Sequence, residues 1–378
     1  MPLPSEKSAS SPIRVWDLGV RLFHWSLLLA VAAAALTGFF GSPDSLSIHL
    51  IAGITIAYLL LFRVIWGFSG STFARFRTFI FAPSVMVARV KDIISGRHVR
   101  YLGHNPLGGA MVLALIGVLA LILITGLVVL GGTIKQGPLA FITTYSTGGL
   151  VKEIHQILAF LLVGLIALHL VGVIYESIIG KEKLVQAMVT GDKPALPAVA
   201  LPPMARARPV LALAIVGIVG LAGASATVSF SARPGLGVPV AALDPVYQKE
   251  CGACHFAYHP SMGTKVLWSG IMAHLDQHFG EDASLPDATY TQLATYLADN
   301  SAEHWDTRIA HVLAKTNPEN PLRFTATRFW TRMHHDIPEG VFKSKAVGFK
   351  GACNACHSDA KTGLFAPQNI EIPEGAHL

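Results

Sequence analysis

Five apolar runs punctuate the first 230 residues, at 22–40, 48–68, 107–130, 154–179 and 210–230. Each holds about 20 residues, enough to cross about 30 Å of hydrocarbon as an α-helix. Beyond residue 231 the pattern changes: short apolar clusters alternate with polar residues, 293–298 and 305–313 read as helices, and 317–321 and 340–351 as loops. The predicted fold is all-α, a transmembrane helical bundle of four helices plus a fifth span, followed by a mainly α, loop-rich domain outside the membrane. The boundaries fall at 1–190 for the four-helix part, 191–209 for a Pro-rich linker, 210–231 for the fifth span and 232–378 for the outer domain.

Composition sharpens this picture. With 52% hydrophobic and 14% charged residues among 378, the chain is too apolar for an ordinary soluble enzyme. Its net charge of +6 does not point to nucleic acid, because the basic residues sit in the links between spans. Lys7, Arg14 and Arg21 precede the first span. Arg75, Arg77, Arg89, Lys91, Arg97 and Arg100 lie between the second and third, and Lys181, Lys183, Lys193, Arg206 and Arg208 between the fourth and fifth. The alternate links are poor in positive charge: 41–47 has none and 131–153 only Lys135 and Lys152. The positive-inside rule therefore predicts a cytoplasmic N-terminus and a C-terminal domain that is periplasmic, or at least extracytoplasmic.

Histidine is costly inside a membrane, so His24, His49, His155 and His169 are functional candidates. The first span leaves the cytoplasm and the second returns, which puts His24 toward the cytoplasm and His49 toward the periplasm. His155 begins the fourth span on the periplasmic side. His169 follows 14 residues later, about 21 Å along the helix and about four full turns round, on the same face. The depth-matched pairs are His24 with His169 and His49 with His155, each able to clamp a haem iron from opposite sides. Gly38, Gly53, Gly164 and Gly172 would leave room for flat macrocycles between helices. His98 and His104, in or beside the link between the second and third spans, could hydrogen-bond a haem propionate or a quinone. A proton or metal transporter would place carboxylates beside such histidines, and these spans contain almost none apart from Glu176.

Four cysteines form two copies of one motif, CGACH at 251–255 and CNACH at 353–357. This is the signature of covalent haem attachment: Cys251 with Cys254, and Cys353 with Cys356, would form thioethers, and His255 and His357 would reach the irons. A zinc ribbon brings its CxxC pairs much closer together in sequence. The remaining axial positions have many candidates, among them His259, His274, His278, His304, His311, His334 and His335.

The segment RVWDLGVRLFHW at 14–25, GHNPLGG at 103–109 and the paired histidines of the fourth span resemble bacterial cytochrome b561 and the related hydrogenase b-type cytochromes, over about 11–190. That resemblance implies His24, His49, His155 and His169 as axial ligands of two haem b groups, and a quinone as membrane redox partner. Residues 251–271, HFGEDASL at 278–285, WTRMHHD at 330–336 and CNACHSD at 353–359 resemble the small dihaem cytochrome c family over about 243–373. It implies bis-histidine coordination of two haem c groups, with His278 completing the first and His335 the second, and His274 and His334 as close rivals.

The combined expectation is transmembrane electron transfer from quinol through two b haems to two c haems and a soluble periplasmic acceptor, a quinol:cytochrome c-type oxidoreductase activity with no separate catalytic residue assigned. Two alternatives stay open. One is reverse flow that reduces quinone, including superoxide oxidation at the periplasmic side; the other is service as the haem-bearing membrane anchor of a hydrogenase or dehydrogenase. The lipid bilayer is an expected partner, and self-association into a homo-oligomer is not decided by these residues.

Overall fold

The first helix is set by one carboxylate. Asp17 accepts a hydrogen bond from the Val20 amide at 2.8 Å and caps α1 (Leu18–Phe40). The same side chain takes the Trp66 indole N–H at 3.0 Å and the Ser71 hydroxyl at 2.6 Å. The beginning of α1 is thereby tied to the far end of α2 (Leu46–Ser69), so the two helices run antiparallel. At their other ends Gly38 lies against the His49 ring, where a Cβ would come within 3.2 Å of Cε1. His24 and His49 therefore stand at opposite ends of this helix pair.

A computed structural model describes residues 12–42, 45–97, 99–194, 203–315 and 322–376. Lys7, His98, the expected loop at 317–321 and residues 195–202 of the Pro-rich linker lie outside them. After α2 come α3 (Pro83–Ile94), α4 (Pro106–Val129), α5 (Tyr145–Ile178), α6 (Leu184–Thr190) and α7 (Pro209–Ser231). Five helices are long and apolar enough to cross a membrane: Leu18–Phe40, Leu46–Ser69, Pro106–Ile134, Tyr145–Ile178 and Pro209–Ser231. Large side chains such as Leu29, Phe40, Val210 and Leu221 are exposed on them, which suits lipid and not water.

Three features depart from the sequence pattern. The link between the second and third spans contains α3, whose Arg89 is almost wholly buried and pairs with Glu176 at 2.7 Å; Asn105 donates to the same carboxylate at 2.8 Å. Helix α5 starts at Tyr145, before the apolar run, because hydropathy marks only the stretch suited to lipid whereas backbone hydrogen bonding continues past it. There Gly132 and Gly148 meet so closely that a Cβ on Gly132 would lie 2.6 Å from the Gly148 Cα, an approach that requires glycine at both positions. Lastly, β1 (Ile13–Arg14) and β2 (Asp192–Lys193) form a short antiparallel ladder, reinforced by an Arg14–Asp192 ion pair at 2.6 Å.

The chain divides into two compact units, one of Met1–Thr125 with Glu153–Ser225, the other of Gly126–Lys152 with Ala226–Leu378. The second contains α8 (Pro245–Cys251), α9 (Lys265–Met272), α10 (Asp287–Asp299), α11 (Arg308–Leu313), α12 (Arg328–Met333) and α13 (Glu339–Phe342). Leu293 and Leu297, one turn apart on α10, are fully buried against Tyr247, Trp268 and Met272. The stretch expected as one helix at 305–313 is helical only from Arg308, because the Thr307 hydroxyl caps the Ala310 amide. The loop expected at 340–351 begins inside α13.

Asp306 is the polar centre of this second unit. Its carboxylate receives Lys135 Nζ at 2.5 Å, His311 Nε2 at 2.7 Å and the Tyr145 amide at 2.8 Å. Its own amide donates to the Gly237 carbonyl at 2.8 Å, and Gly237 has φ +63 with no space for a Cβ beside Asp306. Burial opposes ionisation of Asp306, yet the bonds from Lys135, His311 and the Tyr145 amide hold its pKa below the ordinary carboxylate value. A depressed carboxylate contributes stability above its unfolded pKa and loses it as pH falls through the folded value. The second unit should thus keep its melting temperature from pH 7 to about 5 and lose it below about pH 4. Asp306→Asn, which strands the buried Lys135 ammonium, should destabilise it by about 3 kcal/mol; a melting temperature unchanged by the substitution would refute this.

Candidate functional site

Each of the four membrane histidines is half-buried on a span, and the two levels differ in what they show. At one level the His49 and His155 rings face each other with centroids 6.4 Å apart. His49 Nδ1 lies 3.0 Å from the Ala34 carbonyl, which can only accept, so that nitrogen carries the proton. His155 Nδ1 lies 3.0 Å from the Thr125 hydroxyl, whose own proton goes to the Leu121 carbonyl. In both rings Nδ1–H is occupied as donor and Nε2 is left as the free lone pair, the orientation that metal-bound imidazoles adopt. At the other level His24 and His169 are each half-buried on their spans, and the His24 Nδ1 is buried with no hydrogen-bond partner among the described residues.

The spacing is chemically informative. Two metal–imidazole bonds of about 2 Å each, plus about 1.1 Å from each nitrogen to its ring centre, put the centroids about 6.2 Å apart. The His49–His155 separation fits one atom between the rings and excludes a direct hydrogen bond. Beside these histidines, a Cβ added at Gly53, Gly164 or Gly172 would meet no protein atom within 4 Å, so a planar group can approach these helix faces. Among the described residues, no three His, Cys, Asp or Glu side chains converge as a bare metal ion would need. A macrocycle that brings four nitrogens of its own needs only the two imidazoles.

The end of α2 supplies further polar groups. Arg63 is buried, its guanidinium lying over the Phe76 and Phe79 rings at 5.1 and 5.5 Å with one hydrogen bond to the Ala74 carbonyl. His104 lies between Trp16 and Phe79, each ring 4.7 Å away, and its Nδ1 has no hydrogen-bond partner among the described residues. Burial, with Arg63 and Lys193 adding positive charge, pushes the His104 pKa down to about 3, so it is neutral at physiological pH.

The second unit repeats the facing-ring geometry twice. His255 and His278 stand with centroids 6.3 Å apart, and His255 Nδ1 donates to the Phe256 carbonyl at 2.8 Å. Burial, then the neighbouring His255, lowers the His278 pKa and keeps it a neutral donor. His274, its rival, donates Nδ1 to the Gly270 carbonyl and is exposed. Cys251 ends α8, with Cys254 three residues on; Cys353 and Cys356 lie in and after a 3₁₀ turn, and no disulfide joins any of the four. Burial pushes the Cys251 and Cys353 thiols up to about 11.

At the second motif the arrangement differs from the sequence expectation. His334, not His335, stands opposite His357, with centroids 6.2 Å apart. His334 stacks on Trp330 at 4.5 Å and donates Nδ1 to the Trp330 carbonyl at 2.9 Å, leaving Nε2 toward His357. His335 points to solvent and its Nε2 contacts Asp336 at 3.1 Å. Neighbours at a helix end point about 100° apart, so only one of two adjacent histidines can face a given partner. The Trp330 stack, one helical turn back, selects His334; the i, i+4 aromatic spacing was the available signal.

The remaining histidines are occupied elsewhere or exposed. His259 is buried with Nδ1 accepting from the Ser261 amide at 3.1 Å, and burial pushes its pKa down to about 4. His311 belongs to the Asp306 cluster, and His304 is exposed. Sequence reasoning missed Tyr258. Its ring lies 5.0 Å from His255, and its hydroxyl donates at 2.9 Å to the Gly351 carbonyl, which also accepts from the Cys353 amide at 2.9 Å. One phenol thus joins the axial side of the first motif to the loop that carries the second.

Comparison with known proteins matches each part of the chain to a cytochrome family. Residues 15–191 match the family described as prokaryotic cytochrome b561, and residues 247–365 match dihaem cytochrome c. A probable Ni/Fe-hydrogenase B-type cytochrome subunit of Cupriavidus necator is 27% identical over 207 residues, 47% of this chain and 85% of that protein. The probable Ni/Fe-hydrogenase 1 B-type cytochrome subunit of Escherichia coli K12 is 26% identical over 208 residues, 47% of this chain and 88% of that protein. Among solved structures, a dihaem cytochrome c from Rhodobacter sphaeroides is 32% identical and covers 34% of this chain and 98% of its own, with a TM-score of 0.29. One from Shewanella baltica is 29% identical, covering 34% and 93%, with a TM-score of 0.28. The chain is a fusion of a membrane-spanning cytochrome b561 domain with a dihaem cytochrome c domain, a haem-carrying electron-transfer protein.

Proposed function

We propose that this protein moves electrons across the bacterial inner membrane, from quinol through two b haems to two covalently attached c haems and then to a soluble periplasmic acceptor. The observation that carries this reading is the recurrence of imidazole pairs at 6.2 to 6.4 Å, once among the spans and twice beside CxxCH motifs. Haem iron held between two such imidazoles exchanges single electrons and has no open coordination position.

The chain's own residues have separable roles in this scheme. His49 with His155, and His24 with His169, are the proposed axial pairs in the membrane. The Ala34 carbonyl and Thr125 hydroxyl orient the first pair by fixing which nitrogen is protonated. In the C-terminal domain the axial pairs are His255 with His278 and His357 with His334, and Cys251, Cys254, Cys353 and Cys356 are the thioether positions. The excess of Lys and Arg in alternate links supports a cytoplasmic N-terminus and a periplasmic dihaem domain. A second reading has one specific observation behind it: relatives named as hydrogenase B-type cytochrome subunits suit a membrane anchor for a partner enzyme. The fused dihaem domain favours the first, because it gives the chain its own outlet.

Anaerobic stopped-flow mixing of the purified protein with a quinol analogue should show b-haem reduction followed by c-haem reduction. If the c haems never reduce after the b haems, the route is wrong. His169→Ala should remove one of two b haems by pyridine haemochrome analysis and leave both c haems attached. His334→Ala should convert one c haem from six-coordinate low spin to high spin, whereas His335→Ala should leave the absorption spectrum unchanged. The opposite pattern would restore His335 as the ligand.

A further inference from the structure

The dihaem domain is charge-polarised along its sequence, and the polarity follows the two haem motifs. Residues 266–307 contain seven Asp and Glu and no Lys or Arg. This stretch includes His278, and Asp276, Glu281 and Asp282 beside it are exposed. Residues 308–350 contain eight Lys and Arg against three Asp and Glu. This stretch carries His334 on the end of α12.

The basic part forms a defined surface. Arg328 and Arg332, one turn apart on α12, are exposed, and with Ala326, Thr331 and His335 they line a shallow concavity. Neither guanidinium has an ion pair among the described residues, so both charges face solvent unneutralised. Trp330, on the same helix, stacks on His334 and lies 5.9 Å from the Lys350 ammonium. One short helix thus carries both arginines and leads directly into the proposed axial ligand of the second haem.

We propose that this α12 face is the docking surface for an acidic, soluble one-electron redox protein, and that electrons leave the chain at the His334–His357 site. Two electrostatic effects act together. Positive charge near a redox centre stabilises its reduced form, so the exposed Arg328 and Arg332, on the helix that leads into His334, favour an electron at that site. The same charge attracts a partner whose docking face is acidic and raises its encounter rate. The exit direction rests on the outward flow proposed above; the docking face does not.

The test uses full-length protein whose c haems have been reduced stoichiometrically with titrated dithionite, and plastocyanin, an acidic blue-copper protein, as probe acceptor. One electron passes from ferrous haem to Cu(II), leaving ferric haem and Cu(I), and the loss of the blue colour reports the rate. The wild-type second-order rate should fall about tenfold between 10 mM and 200 mM salt. Arg328→Glu with Arg332→Glu should be about tenfold slower at low salt and nearly insensitive to salt. Lys91→Glu, an exposed charge reversal on the link between the second and third spans, should leave the rate unchanged. An unaltered rate and salt slope in the double variant, or an equal effect at Lys91, would overturn the proposal. If the double Glu variant loses its low-spin c spectrum, Arg328→Gln with Arg332→Gln decides by the same criteria. Because the haems are reduced chemically, failure of quinol to reduce the protein would sink the outward route without altering the docking result.

Discussion

An imidazole that holds a metal through one nitrogen is oriented by whatever its other nitrogen binds. In this chain the Nδ1–H of His49, His255 and His334 is fixed on a backbone carbonyl and that of His155 on a threonine hydroxyl. The remaining nitrogen of each ring is left facing an opposing histidine across a gap one metal atom wide. The helices serve this constraint. Antiparallel α1 and α2 carry His24 and His49 at opposite ends, α5 carries His155 and His169 on one face, and short helices in the C-terminal domain set the other rings.

Two half-buried carboxylates act as clips in the membrane part. Asp17 joins the start of α1 to the end of α2 through Val20, Trp66 and Ser71. Glu176 draws Arg89 of α3 and Asn105 before α4 onto the end of α5. Each carboxylate has several donors, which offsets the large cost of removing a charge from water. Placed at helix ends, such clips fix the levels of the histidines without putting a charge in the apolar middle of a span.

The dihaem domain combines short helices with aromatic contacts. Tyr258 and Trp330 each touch a haem-facing histidine and also reach a second part of the fold, Tyr258 through the Gly351 carbonyl and Trp330 through the Phe342 ring. Disturbing either ring would change more than one contact.

The sequence alone determined the class of the protein: five apolar runs, four histidines at two depths, and two CxxCH motifs are local patterns whose chemistry does not depend on distant contacts. It also narrowed the histidines able to stand opposite each CxxCH motif to adjacent or near-adjacent pairs. Tertiary structure sets which of His334 and His335 faces His357, because that depends on the rotation of α12 against Trp330, a property of packing and not of spacing. The Asp306 cluster, the burial of Arg89 and the bridge made by Tyr258 were invisible beforehand for the same reason. Each joins residues tens to more than a hundred positions apart, and no local periodicity records that encounter.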